Sequence, residues 1–222
     1  MSQIKIVDVK ENILETNDII ADETRMHLKK AGTFLLNLMS SLGSGKTTTL
    51  VRTIDALKDE MQIGIMEADI DSDVDAKTIS GTGVRAIPLH TGGMCHLDAD
   101  MTAQGIQSFG TDDLDLVVLE NIGNLVCPAE FDTGACKNAM ILSVPEGDDK
   151  PLKYPLMFQV ADVVLINKID VAEHFDFDLE KAIANIRMRH PGIEIFPVSA
   201  RTGEGFDRWT DWLRKEVNDW KA

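Results

Sequence analysis

Basic residues are scarce in this sequence. Lysine and arginine number 22 against 37 aspartates and glutamates, a net charge of −15. A surface of that sign repels nucleic acid and anionic membranes at long range, so neither is an expected partner. Long apolar runs are also missing. No stretch approaches the ~20 residues of a membrane helix, and the first residues lack the basic-then-apolar order of a secretion leader. A cytoplasmic location is expected. The three cysteines, Cys95, Cys127 and Cys136, are odd in number and read as free thiols or metal ligands rather than a disulfide framework. No internal repeat or low-complexity linker divides the 222 residues, a length that can bury a real core.

What is present is a regular alternation. From about Lys10 to Lys30, Ile13, Leu14, Ile20, Ala21 and Leu28 recur at helical spacing among many charges, and Gly32 ends the pattern. Residues 1–31 are therefore read as an amphipathic helical extension and 32–222 as the main domain. Spacing alone leaves open whether that helix packs on its own chain or on a partner. Apolar runs then fall at Phe34–Leu38, Ile63–Met66, Arg85–Leu89, Leu114–Leu119, Met140–Val144, Val163–Ile166 and Ile193–Val198. Helical patterns lie near 47–59, 73–82, 97–108 and 177–190, with a last one over Phe206–Trp220. Runs such as Val117–Leu119 and Val163–Ile166 are apolar on both faces, as in parallel strands covered on both sides. The expected fold is α/β, a three-layer, mostly parallel sheet flanked by helices, with ligands at the carboxyl ends of the strands. The aperiodic stretch Asn121–Lys137 reads as a functional loop.

Between the first strand and the first helix runs Met-Ser-Ser-Leu-Gly-Ser-Gly-Lys-Thr-Thr-Thr, Met39–Thr49. In that context the backbone N–H groups of Gly43, Ser44, Gly45 and Thr48 face an anion at the positive end of the helix. Lys46 reaches the β- and γ-phosphates, and the Thr47 hydroxyl holds Mg²⁺. Ser40 stands where the usual pattern has its first glycine, so alone the stretch could also be an ordinary glycine-rich turn. Asn167-Lys168-Ile169-Asp170 follows the strand Val163–Ile166. A carboxylate at Asp170 can accept from both the ring N–H and the exocyclic amine of guanine, an edge that adenine does not present. Asn167 would brace the loop and Lys168 would lie along the base. Ser199-Ala200-Arg201 follows the last strand and would back the guanine O6, though a plain turn capped by Gly203 reads the same way. Three motifs in this order point to a P-loop NTPase that binds GTP and GDP.

Acids at strand ends suit Mg²⁺ and water. Glu120 is assigned to the Mg²⁺ and γ-phosphate side and Asp69 to metal or water positioning, because phosphoryl transfer depends mostly on placement and charge neutralisation. The bland reading of both, and of Asp71, Asp73 and Asp75, is a solvated acidic face. Cys95-His96 and Cys127 offer two thiolates and an imidazole, a set suited to Ni²⁺ or Zn²⁺; buried cysteines are the alternative. Cys127 lies seven residues beyond Glu120, so a metal held there would share a movable segment with the nucleotide.

Thr91–Ala99, Glu120–Ala129 and Glu146–Pro155 together resemble the nickel-handling GTPases of hydrogenase maturation, the HypB family, over nearly the whole chain. The resemblance implies a GTP hydrolase that helps load nickel into [NiFe]-hydrogenase, working with an accessory nickel/zinc metallochaperone on the hydrogenase large-subunit precursor. It implies a homodimer formed on GTP binding, with Cys95, His96 and Cys127 binding nickel or zinc near the contact. It also implies that Lys153 reaches the nucleotide of the other subunit. Some members carry an N-terminal cysteine motif or histidine-rich stretch, whereas this sequence begins Met1-Ser2-Gln3, so no nickel store is expected there. Two rival readings are a urease-accessory nickel GTPase, for which a Cys-Pro-His cluster would be expected, and a non-catalytic zinc-stabilised dimer that merely binds nucleotide.

Overall fold

The computed structural model describes residues 9–69 and 78–222, with only the backbone described for residues 9–12 and 69. The apolar runs form seven strands: β1 Phe34–Ser40, β2 Ile63–Asp69, β3 Arg85–His90, β4 Leu116–Glu120, β5 Lys137–Ser143, β6 Val163–Asn167 and β7 Glu194–Pro197. They make one sheet in the order β3-β2-β4-β1-β5-β6-β7, and every adjacent pair is parallel. The helices are α1 Val9–Ala31, α2 Lys46–Leu57, α3 Ala99–Phe109, α4 Lys150–Lys153, α5 Pro155–Val160, α6 Leu179–Arg189 and α7 Phe206–Lys221.

Strand residues that alternate across the sheet feed cores on its two sides. On one side Leu36, Leu38, Ile65 and Val118 pack with Leu50 and Ile54 of α2 and Trp209 and Leu213 of α7. On the other, Leu35, Met66 and Leu119 meet Leu28 of α1 and Ile106 of α3, while Met39, Met140 and Val164 meet Phe158 of α5 and Ile186 of α6. The three-layer parallel architecture expected from sequence is the one observed.

The N-terminal helix packs on its own chain. Ala21 and Leu28 are fully buried. Asn17 accepts the N–H of Ala99 at 2.9 Å through Oδ1 and donates to the Asp132 carbonyl at 2.9 Å through Nδ2. Arg25 donates to both carboxylate oxygens of Asp132, at 2.9 and 2.8 Å. Helix α1 thereby braces the start of α3 and the loop before β5.

Three details differ from the sequence expectation. Strand β5 begins at Lys137, three residues ahead of the expected Met140, while the aperiodic stretch agrees with the connection 121–136 to within one residue. That loop also contains a 3₁₀ turn, Cys127–Ala129. Between β5 and β6 lie the 3₁₀ turn Val144–Glu146 and helices α4 and α5, each with proline in its first turn, which hides helical periodicity. Of the helix expected over 73–82, residues 78–80 are helical and 73–77 lie outside the described residues, as do Asp71, Asp73 and Asp75.

Burial works to raise the Asp132 carboxyl, but the Arg25 guanidinium and the Gly134 N–H outweigh it and hold it below the usual carboxylate range. A depressed carboxylate stabilises the fold above the unfolded pKa of about 3.9 and stops doing so as pH falls through the folded pKa. We predict that Arg25→Ala costs about 1–2 kcal/mol at neutral pH, discounted for the partial exposure of Asp132. Thermal melts of the two proteins should differ at pH 7 and converge towards pH 3, and equal melting at pH 7 would show that this pair does not hold α1.

Candidate nucleotide and metal site

Strand β1 delivers the chain to the carboxyl edge of the sheet, and the turn into α2 depends on glycine. Gly43 and Gly45 take φ of 73° and 96°, a left-handed region that side chains rarely enter. Gly45 is also packed closely: a Cβ there would stand 2.7 Å from Nδ2 of Asn167. Ser40 is not such a position. It is the last residue of β1, fully buried, and its Oγ donates to the Ser41 carbonyl at 2.8 Å while accepting from Ser44 Oγ at 2.7 Å. The serine therefore costs the turn no flexibility, contrary to what its departure from the pattern suggests. The helix-start N–H groups of Lys46, Thr47 and Thr48 have no partner one turn earlier within α2, so they are available to an anion.

The loops expected to receive the base are organised by Asn167, the buried last residue of β6. Its Nδ2 donates to the Ser44 carbonyl at 3.0 Å, and its Oδ1 accepts the N–H groups of Lys168 at 2.8 Å and Ala200 at 3.0 Å. One side chain thus ties the phosphate turn to both base loops. Among the described residues Lys168 is the only non-glycine with positive φ, 67°, and its Nζ donates to the Gly43 carbonyl at 2.6 Å. Asp170 accepts from Ser199 Oγ at 2.7 Å. These loops surround a cavity of 210 Å³ lined by Gly45, Thr48, Asn167, Lys168, Asp170 and Ala200. Arg52, which sequence reading missed, reaches across from α2 and donates to the carbonyls of Ala200 at 2.6 Å and Arg201 at 2.9 Å. Its fork shape and one-residue offset from the α2 apolar face left no local signal.

Glu120 closes β4 and is buried. Its register partner on β2 is Glu67, which is 2% exposed and was not foreseen. Strand β2 extends to Asp69, beyond the Met66 end expected, which brings Glu67 into the sheet edge. Alternation places Glu67 after Ile63 and Ile65, and Glu120 after Leu116 and Val118, all on the α2 side. Two adjacent buried carboxylates repel unless a cation, proton or donor stands between them, a donor set that fits Mg²⁺. Asp69 ends β2, in register with His90, but its side chain lies outside the described residues. Lys153 does not line the base cavity. It is exposed and paired with Asp149 at 2.7 Å.

Cys95, His96 and Cys127 are brought together, with one ligand atom from each lying within 4.8 Å of the others. The thiol of Cys95 is 2.9 Å from Cys127 Sγ and 3.8 Å from His96 Nδ1. His96 is buried and stacks on Phe131, ring centroids 4.0 Å apart, which fixes the imidazole plane. The hydrogen bond to Cys127 raises the Cys95 thiol above its ordinary pKa. A divalent ion would take the place of that shared proton, so the set fits a borderline or soft metal bound with proton release. Cys136 lies apart from this group: burial pushes its thiol up to about 12, and it accepts the Leu35 N–H at 3.3 Å. It is a packing residue.

Comparison with known proteins gives a concordant picture. Residues 34–197 match the family model "CobW/HypB/UreG, nucleotide-binding domain". The chain is similar to the hydrogenase maturation factor HypB of Rhizobium leguminosarum bv. viciae, 46% identical over 96% of this chain and 71% of that protein. Among solved structures it resembles HypB from Archaeoglobus fulgidus, with a TM-score of 0.86 and 39% identity over 92% of this chain and all of that one. It resembles equally well a HypB from Helicobacter pylori in complex with nickel, with a TM-score of 0.86 and 38% identity over 92% and 96% of the two chains.

The contact at Gly45 gives a direct test of the cradle. Gly45→Ala adds a methyl group where both φ and the Asn167 amide forbid it, so guanine nucleotide affinity should fall by tenfold or more, on the order of 1.4 kcal/mol. A fluorescent-nucleotide titration giving wild-type affinity would show that the Gly45–Asn167 approach is not needed for binding.

Proposed function

This chain belongs to the CobW/HypB/UreG family and, within it, to the HypB hydrogenase maturation factors; from that membership we propose that it is a GTP-hydrolysing nickel chaperone whose metal site is coupled to GTP-dependent dimerisation. The observation that carries the proposal is the juxtaposition of a phosphate cradle with a Cys-Cys-His cluster through one short loop. Glu120 and Cys127 are seven residues apart on it.

In this reading Asp170 accepts from the guanine edge, and Asn167, Lys168, Ser199 and Ala200 hold the loops that receive the base. Backbone N–H groups from Gly43 to Thr48 and the ammonium of Lys46 bind the phosphates and neutralise charge that builds on them. Thr47 and Glu120, with Glu67 or Asp69, would hold Mg²⁺, which supplies further neutralisation of the β- and γ-oxygens. Glu120 or Asp69 orients a water in line with the γ-phosphorus. The water oxygen bonds to phosphorus, the bond to the β–γ bridging oxygen breaks, and GDP and phosphate leave. Lys153 would leave its ion pair with Asp149 to contact the nucleotide of the second subunit.

Nickel is the cargo, taken up by Cys95, His96 and Cys127, with zinc able to use the same ligands. Three ligands at a partly exposed site release an ion more readily than a closed four-cysteine cage does. The partners in this reading are a second copy of the chain, an accessory nickel/zinc metallochaperone and the hydrogenase large-subunit precursor. The seated ion and the bound phosphates act on the two ends of one loop, so each changes the affinity for the other.

Two variants separate the proposed activities. Lys46→Ala should reduce GTP turnover to background while still binding nickel, and the pair Cys95→Ala, Cys127→Ala should lose nickel while still binding GTP. Phosphate release and nickel titration measure the two. Turnover by Lys46→Ala at the wild-type rate would remove the catalytic assignment, and absence of turnover in the wild-type protein would favour the non-catalytic zinc-stabilised dimer.

A further inference from the structure

Ile122 packs with Leu35, Met66 and Leu97, and Leu125 packs with Met39, Met140 and Phe158, two separate clusters on the same face of the sheet. The two residues between these anchors are held in place without belonging to either core. Gly123 lies against the phosphate turn, where a Cβ would come within 2.7 Å of Leu42 Cδ2 and 3.1 Å of the Leu42 backbone nitrogen. Asn124 lies against the metal ligands. Its Nδ2 donates to the Cys95 carbonyl at 3.2 Å, and its Oδ1 accepts the Val126 N–H at 2.9 Å. One half-buried side chain therefore joins the backbone of Cys95 to the residue immediately before Cys127.

We infer that Asn124 is a positioning residue for the metal cargo, a strap that sets how far the Cys95 and Cys127 thiols can part. This rests on the reading of Cys95, His96 and Cys127 as the nickel ligands. The thiols stand 2.9 Å apart, whereas two sulfurs each about 2.3 Å from a tetrahedral ion lie about 3.8 Å apart. The ligand loops must open by about 0.9 Å, the difference between 3.8 and 2.9 Å, and then stop. A side-chain amide bonded to both loops permits that opening and limits it. Both polar atoms of Asn124 are engaged by backbone groups, so it orients the ligands without being one. Partners of this kind around metal ligands change affinity by about 10–100-fold when removed. Asn124 bonds backbone rather than the coordinating atoms, and the lower end of that range is the expectation.

The test titrates Ni²⁺ into the full chain in competition with a chromogenic chelator and records the thiolate-to-nickel charge-transfer absorption, for the wild type, Asn124→Ala, Asn124→Ser and Cys95→Ala. Asn124→Ala should lose about tenfold in nickel affinity and show a shifted or weakened band. Asn124→Ser should fall between it and the wild type, because serine keeps an acceptor for an N–H two residues on but cannot reach the Cys95 carbonyl. If Cys95→Ala binds nickel like the wild type, the cysteine reading itself is wrong. If Cys95→Ala loses nickel while Asn124→Ala keeps both wild-type affinity and the wild-type band, the cysteine reading stands and the strap is overturned.

Discussion

The loop that leaves β4 is covalently short, and the rest of the functional architecture depends on that limit. Glu120 is fixed in the sheet, paired in register with Glu67 on one side and Leu38 on the other. Cys127 begins a 3₁₀ turn and touches Cys95, which follows β3. Between them Ile122 and Leu125 are sunk into separate cores, so the segment has little slack to absorb movement at either end. A segment anchored this way moves as a unit or not at all, the property a two-state coupling element needs. Asn121 adds to the stiffness. It is fully buried, donates to Asn37 Oδ1 at 3.1 Å and accepts the Ile122 N–H at 2.9 Å.

The nucleotide end is built on the same economy of contacts. Asn167 satisfies three backbone groups from three loops, and Gly45 has no side chain because that amide occupies the space. Arg52 holds the outer base loop by two carbonyls from the helix that presents its N-terminus to the phosphates. Removing one member of such a network leaves its buried partners unsatisfied, at about 1–3 kcal/mol each, so the parts are expected to fail together. Helix α1 serves the end that carries Cys95, His96 and Cys127, bracing through Asn17 and Arg25 both the start of α3, just after His96, and the loop beyond Cys127.

Much of this was legible in the sequence because the chemistry is local. A strand, a glycine turn and a helix in succession aim backbone N–H groups at one point, where an anion can be held, and the doubly apolar runs around Val117 and Val164 announced buried parallel strands. The Cys95-His96 pair and Cys127 are far apart in sequence but each follows a strand of a parallel sheet, so topology alone carried them to one edge. What was not legible depends on three-dimensional neighbours. Glu67 looked like a residue beyond a strand until its register with Glu120 was known. Asn124 and Arg52 are polar residues with no periodic signature, and the prolines at 145, 151 and 155 concealed the short helices around Lys153. Whether α1 packed in cis turned on Asn17 and Asp132, a pair that no spacing rule connects.

The central claim is that phosphate occupancy and metal binding act on the same loop. It is tested most directly by measuring Ni²⁺ affinity and the monomer–dimer equilibrium in parallel, once with GDP and once with a non-hydrolysable GTP analogue. The account predicts that the analogue shifts the protein towards dimer and changes Ni²⁺ affinity by about 5–150-fold, the usual span of such couplings. Identical nickel affinities and identical dimerisation in the two nucleotide states would contradict it and leave two independent sites on one sheet edge.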